Sequence, residues 1–196
     1  MSSQGFWTTV ANASDPKRKF RFLVTIGSMP DGATWYSKSV SKPTVNVAEA
    51  SHKFLNHTFY YPGGVTWDPV NITLVDPVSP DASANLSRIL LESGYKPPTD
   101  INDTTTISKS AAVSAVQSVV IQQINSTGTP VETWTLNNAF ITKVDYGGEL
   151  SYGEDELANL TVTFRYDWAS IETFFGADDG PNRSGGSKRY WVPGTT

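Results

Sequence analysis

The sequence predicts a mainly β protein, an antiparallel β-barrel or sandwich with one α-helix over about residues 80–94 and two long hairpins. Three observations carry this. Apolar side chains recur at period two in several short runs. Turn signals rich in Gly, Pro and Asn separate those runs. Only one segment carries helix punctuation at both ends.

Residues 1–18 are polar and read as an N-terminal arm with Phe6 and Trp7 as anchors. Residues 19–26 form the first strand, with Phe20, Phe22, Val24 and Ile26 on one face. Residues 34–40, carrying Trp35, form a second. Residues 44–55 and 65–75 are the arms of the first long hairpin, joined by Tyr60-Tyr61-Pro62-Gly63-Gly64. Its first arm is weakly apolar, and a strand of that kind meets water on one face. In the helix, Ser79 is the expected cap, Pro80 suits the first turn and Asp81 favours the positive end. Leu86, Ile89 and Leu90 form its apolar stripe, and Gly94 followed by Pro97-Pro98 ends it.

Residues 96–112 read as a Thr/Ser/Asp-rich loop. The second hairpin pairs residues 116–124 with 131–136 around a tip at 125–130. Residues 139–146 form another strand. Residues 159–168 form the last, with Leu160, Val162, Phe164, Tyr166 and Trp168 on one face. From residue 177 the composition turns to Gly, Asp and Ser. The expected division is an arm at 1–18, a β domain at 19–168 and a C-terminal extension at 169–196.

Composition removes several function classes. The formal charge of −4 and the single basic cluster Lys17-Arg18-Lys19 do not suit a domain that grips phosphate backbones. That cluster reads as a solvated strand entrance. The chain has no cysteine, so disulfides, thiolate metal sites and cysteine nucleophiles are absent. No apolar run reaches the ~18 residues that span a membrane as a helix. His52 and His57 are an odd number apart, so on one strand they would point to opposite faces and could not chelate together. No nucleophile elbow, phosphate-binding loop or dinucleotide fingerprint appears. No catalytic residue, cofactor or metal is expected, and the reading is not that of an enzyme.

The segment Trp134-Thr135-Leu136-Asn137-Asn138-Ala139-Phe140, followed by Asp145-Tyr146-Gly147-Gly148-Glu149-Leu150, ends in Phe164-Arg165-Tyr166-Asp167-Trp168. This run resembles the C-terminal half of the tail tube proteins of contractile-tailed bacteriophages. Their fold is shared with the tubes of type VI secretion and contractile injection systems. The resemblance spans residues 19–168 and is specific over 131–168.

It implies rings of six subunits stacked into a tube within a contractile sheath. Each subunit would give its two hairpins to a ring-wide inner β-barrel. The implied partners are further copies of the chain, a tail sheath protein, baseplate and tail terminator proteins, and DNA in transit without specific binding. No membrane is involved. The implied place is the virion tail, assembled in the host cytoplasm.

A lumen-facing hairpin must tolerate water on one face. Glu49 and Lys53 on the first hairpin, and Gln117, Gln123 and Glu132 on the second, are the candidates for the bore, with a net-negative lumen expected to let phosphates slide. Phe22, Trp67, Trp134, Phe140, Leu160, Val162, Phe164, Tyr166 and Trp168 are expected in the core or between subunits. A tube initiator, cap or injection-particle tube is the alternative within the class. A carbohydrate-binding β-sandwich, suggested by six Trp and eight Tyr, is the alternative outside it.

Overall fold

A computed structural model describes residues 16–29, 36–101, 104–148, 151–153, 155–175 and 186–192. Phe6, Trp7 and most of the arm, Trp35, Glu149, Leu150 and Glu154 lie outside the described residues.

Two antiparallel sheets enclose one core. The first orders β1 (Phe22–Ile26), β6 (Val119–Ile124), β7 (Pro130–Asn137), β10 (Trp168–Phe175) and β11 (Gly186–Tyr190) side by side. The second orders β2 (Ser37–Val40), β5 (Val70–Val75), β9 (Asn159–Arg165) and β8 (Phe140–Asp145). The period-two pattern produces the burial. Val24 and Ile26 of β1, and Val119 and Ile121 of β6, face Val70, Ile72 and Leu74 of β5 and Leu160, Val162 and Phe164 of β9 in one apolar cluster. Burying each such aliphatic or aromatic side chain contributes roughly 1.5–3 kcal/mol.

Helix α1 (Ala82–Glu92) closes the core with Ala82, Leu86 and Ile89. Its cap is Asp81, whose carboxylate accepts from the Ala84 amide at 2.9 Å, rather than the expected Ser79. Gly94 ends the segment at φ +100, and a Cβ there would stand 2.8 Å from the Thr106 carbonyl oxygen. A second helix, α2 (Lys109–Val116), occupies part of the expected loop. Ser108 caps it and Ala112, Ala115 and Val116 are buried. Its small buried residues make too weak an apolar stripe to stand out in the sequence.

The first hairpin differs from expectation in its turn. β3 (Val45–Phe54) pairs with β4 (His57–Trp67) around a two-residue turn at Leu55-Asn56, with Leu55 at φ 53. Tyr60-Tyr61-Pro62-Gly63-Gly64 is therefore strand, not loop. The two glycines mark a bulge, since the register shifts there and a Cβ on Gly63 would lie 3.0 Å from the Ala48 carbonyl oxygen. Residues 70–75 belong to a separate strand of the second sheet.

The end of the expected last strand is also corrected. Tyr166 is buried, but the chain bends at Tyr166-Asp167 and crosses to the first sheet as β10. Trp168 accordingly leaves the face shared by Leu160, Val162 and Phe164 and pairs with Asn137. Residues 168–175 are thus an interior strand between β7 and β11, so the boundary expected at 168 falls inside the sheet.

The motif behind the family resemblance builds this double corner. At Asn138-Ala139 the chain passes from the first sheet to the second, and at Tyr166-Asp167 it returns. The Asp167 amide donates to the Asn137 carbonyl at 3.0 Å, and Asn138 Nδ2 donates to Asp167 Oδ2 at 2.8 Å. Lys109 of α2 donates to both Asp167 oxygens, at 2.8 and 2.7 Å. That hydrogen bond, joined by the one from Asn138, holds the Asp167 carboxyl below its ordinary value. Ala139 has no exposed surface, so only a small side chain fits the crossing.

Candidate assembly surfaces

The β3–β4 ribbon has no core of its own. Every β3 residue is exposed, and β4 is exposed except at Thr58 and Trp67. A lone two-stranded hairpin is at best marginally stable in water. This one exposes Val47, Phe54, Leu55, Phe59, Tyr60, Tyr61 and Val65, an apolar load that marks an interaction surface.

The pairing register sorts the ribbon into two faces. Val45·Trp67, Val47·Val65, Glu49·Pro62, Ser51·Tyr60 and Lys53·Thr58 share one. Ala50·Tyr61, His52·Phe59 and Phe54·His57 share the other. The distal half of the first face carries Glu49, Ser51, Lys53 and Thr58 beside Tyr60 and Pro62. The same half of the second is aromatic, with the His57 and Phe59 rings edge to face at 4.7 Å. His52 and His57 thus share a face, contrary to the single-strand expectation, because a turn separates them. Among the described residues no group of three His, Asp or Glu side chains is placed to hold a metal.

The bore candidates on the second hairpin divide differently. Gln117 is not on a strand; it is the C-cap of α2 at φ 65. Gln123 pairs directly with Glu132, both on the inward side of their strands with Ile121, Trp134 and Leu136. Glu132 is buried at 6% exposure, which corrects its assignment to an open bore. Lys17 and Lys42 both pair with it, Lys42 at 2.5 Å, and Trp134 Nε1 donates to Oε1 at 2.5 Å. Burial raises the carboxyl, but hydrogen bonds from Lys17, Lys42 and Trp134, with the charge of Lys42, outweigh it and hold the group at about 2. Lys42 also donates to Gln123 Oε1 at 2.7 Å. Lys17 is therefore a structural tie rather than a purely solvated charge. The inward parity of 132, 134 and 136 was the sequence signal for this site.

Of the expected packing residues, Leu160, Val162, Phe164 and Tyr166 are buried, and Phe22, Trp67 and Trp134 pack half-buried against the core. Phe140 and Trp168 are half-buried at the margin. Trp191 joins this set from outside the expected domain. Its ring lies 5.6 Å from Trp67 and stacks on Trp134 at 6.4 Å, with Tyr190 at 6.4 Å. β11 thus carries a tryptophan back to the base of the exposed ribbon.

No family model and no curated protein sequence matches the chain. Solved structures do. A chain of the anti-feeding prophage baseplate, a six-fold symmetrised cryo-EM structure, has a TM-score of 0.59 at 18% identity, covering 81% of this chain and 96% of that one. A chain of the anti-feeding prophage tube-terminating cap gives 0.57 at 18%, covering 82% and 93%. A chain of the sheath–tube complex of an extracellular contractile injection system, in its extended state, gives 0.56 at 16%, covering 88% and 99%. At these identities the likeness establishes the fold, which is the tail tube fold of contractile systems.

Proposed function

We propose that the chain is a structural subunit of a contractile-tail tube, forming stacked hexameric rings that make a conduit for genome ejection inside a sheath. The observation that carries this reading is the β3–β4 ribbon, which exposes both faces and, among the described residues, pairs with no other strand along either edge, and so requires neighbours. The fold shared with chains of baseplate, cap and sheath–tube assemblies supports it. In the ring, the face with Glu49 and Lys53 lines the bore, while Phe54, Phe59 and Tyr61 pack against adjacent copies. Closing the ribbon into a barrel with its neighbours removes its free edges. The role is scaffolding, without catalysis or cofactor. Sheath, baseplate and terminator proteins are its partners in the virion tail, and DNA passes without specific binding.

Negative-stain microscopy of the purified chain tests this. Stacked six-fold rings are expected. Single rings that never stack favour the cap or initiator role, and a monomer at high concentration contradicts the proposal.

A further inference from the structure

A groove of about 950 Å³ opens between β1 and β2, and it is cationic with an aromatic floor. Phe20, Phe22 and Trp134 line its floor, and Lys17, Lys19, Lys38 and Lys42 stand around it. Glu132 beneath answers Lys17 and Lys42 with one negative charge, so the mouth keeps a positive excess. Phe20 is 73% exposed. Among the described residues, β1 and β2 each stand at the end of their sheet and flank the groove.

The loop between β8 and β9 has the complementary chemistry. Asp155 and Glu156 are exposed, Leu157 is 70% exposed, and Tyr152 has its whole side chain in solvent. This loop leaves from β8, the edge of the second sheet opposite β2. An acidic–apolar segment at one edge and a basic–aromatic groove at the other are suited to a heterologous, head-to-tail contact, the kind that closes into a ring when the rotation allows.

We infer that the β8–β9 loop of one copy docks in the β1–β2 groove of the next, with Asp155 and Glu156 against Lys19 and Lys38 and with Tyr152 and Leu157 over Phe20. This contact rests on the ring reading and supplies its lateral interface. The N-terminal arm is a poorer occupant, because residues 1–15 contain one acidic side chain, Asp15. A polyphosphate chain would match the lysines and leave Phe20 and Phe22 unanswered.

Charge reversal tests it. Lys19→Glu with Lys38→Glu, and separately Asp155→Lys with Glu156→Lys, should each weaken ring formation in sedimentation velocity by about tenfold or more, and combining the four should restore most of it. All four positions are exposed, so melting temperatures should stay near wild type, which separates lost docking from misfolding. The cysteine-free chain allows a second measurement. Lys38→Cys with Asp155→Cys should give a ladder of disulfide-linked multimers under oxidation. A purely intramolecular disulfide, or rings indifferent to all four reversals, overturns the groove assignment and leaves the ring reading standing. Rings restored only by added polyphosphate also overturn it. Absence of any wild-type assembly removes the ring reading and this contact with it.

Discussion

Replacing Glu132 with Gln probes how the fold holds a charge at the end of its core. The side chain keeps its size and loses its charge. Glu132 has its carboxyl at about 2 in the fold against 4.5 in a free carboxyl, a difference worth about 3 kcal/mol at neutral pH. The sign follows from proton counting. Between pH 4.5 and about 2 the unfolded chain binds a proton that the fold refuses, so this stabilisation is complete above 4.5 and is lost as pH falls through about 2. At pH 7, Glu132→Gln should lower the melting temperature by roughly 6–10 °C for a chain of this size. Urea unfolding of both proteins at steps from pH 7 to pH 2 is the assay. Carboxylates common to both cancel in the difference, which should shrink towards zero near pH 2. A difference that stays constant down to pH 2.5, or a melting loss below about 2 °C at pH 7, would show that Lys17 and Lys42 do not hold this carboxylate as described.

Four further outcomes are expected. Tyr166 has a buried hydroxyl without a hydrogen-bond partner among the described residues, and burial first, then the charge of Asp68, pushes it up to about 12. Tyr166→Phe should therefore be neutral or slightly stabilising at pH 7, and it should abolish the stability loss that wild type shows as pH rises from 10 towards 12, read by urea unfolding. Trp191→Ala should cost about 1–2 kcal/mol and red-shift tryptophan emission, because it uncovers Trp67 and Trp134. Val162→Pro should prevent folding, judged by circular dichroism, since β9 is paired on both sides with β5 and β8. Replacing residues 46–66 by a short Gly-Ser link should leave a folded body with near-native circular dichroism and abolish assembly in sedimentation, because residues 46–66 share none of the core.

Strand patterns were legible wherever one face is buried. Val24 and Ile26, Val70, Ile72 and Leu74, and Leu160, Val162 and Phe164 all alternate as their burial does. The ribbon was not legible in its turn, because a strand exposed on both faces has no apolar period and Pro62-Gly63-Gly64 imitates a loop where it forms a bulge. The crossing at Tyr166-Asp167 was hidden for the opposite reason. Trp168 continues the alternation of Phe164 and Tyr166 in sequence, yet the bend sends it to another sheet. Helix α2 buries alanines, which leave little hydrophobic signature. Glu132 looked like a solvent-facing residue on composition alone. Its parity with Trp134 and Leu136 outweighed its charge, and two lysines distant in sequence supply the compensation that makes its burial tolerable.

In the proposed tube the β3–β4 ribbon becomes buried between copies of this chain. Cryo-electron microscopy of the purified, concentrated protein tests it most directly. Six-fold rings are expected in which residues 45–67 pair with neighbouring copies, Glu49 and Lys53 face the bore, and Phe54, Phe59 and Tyr61 are covered. A monomer, or rings in which this ribbon projects free into solvent, would contradict it.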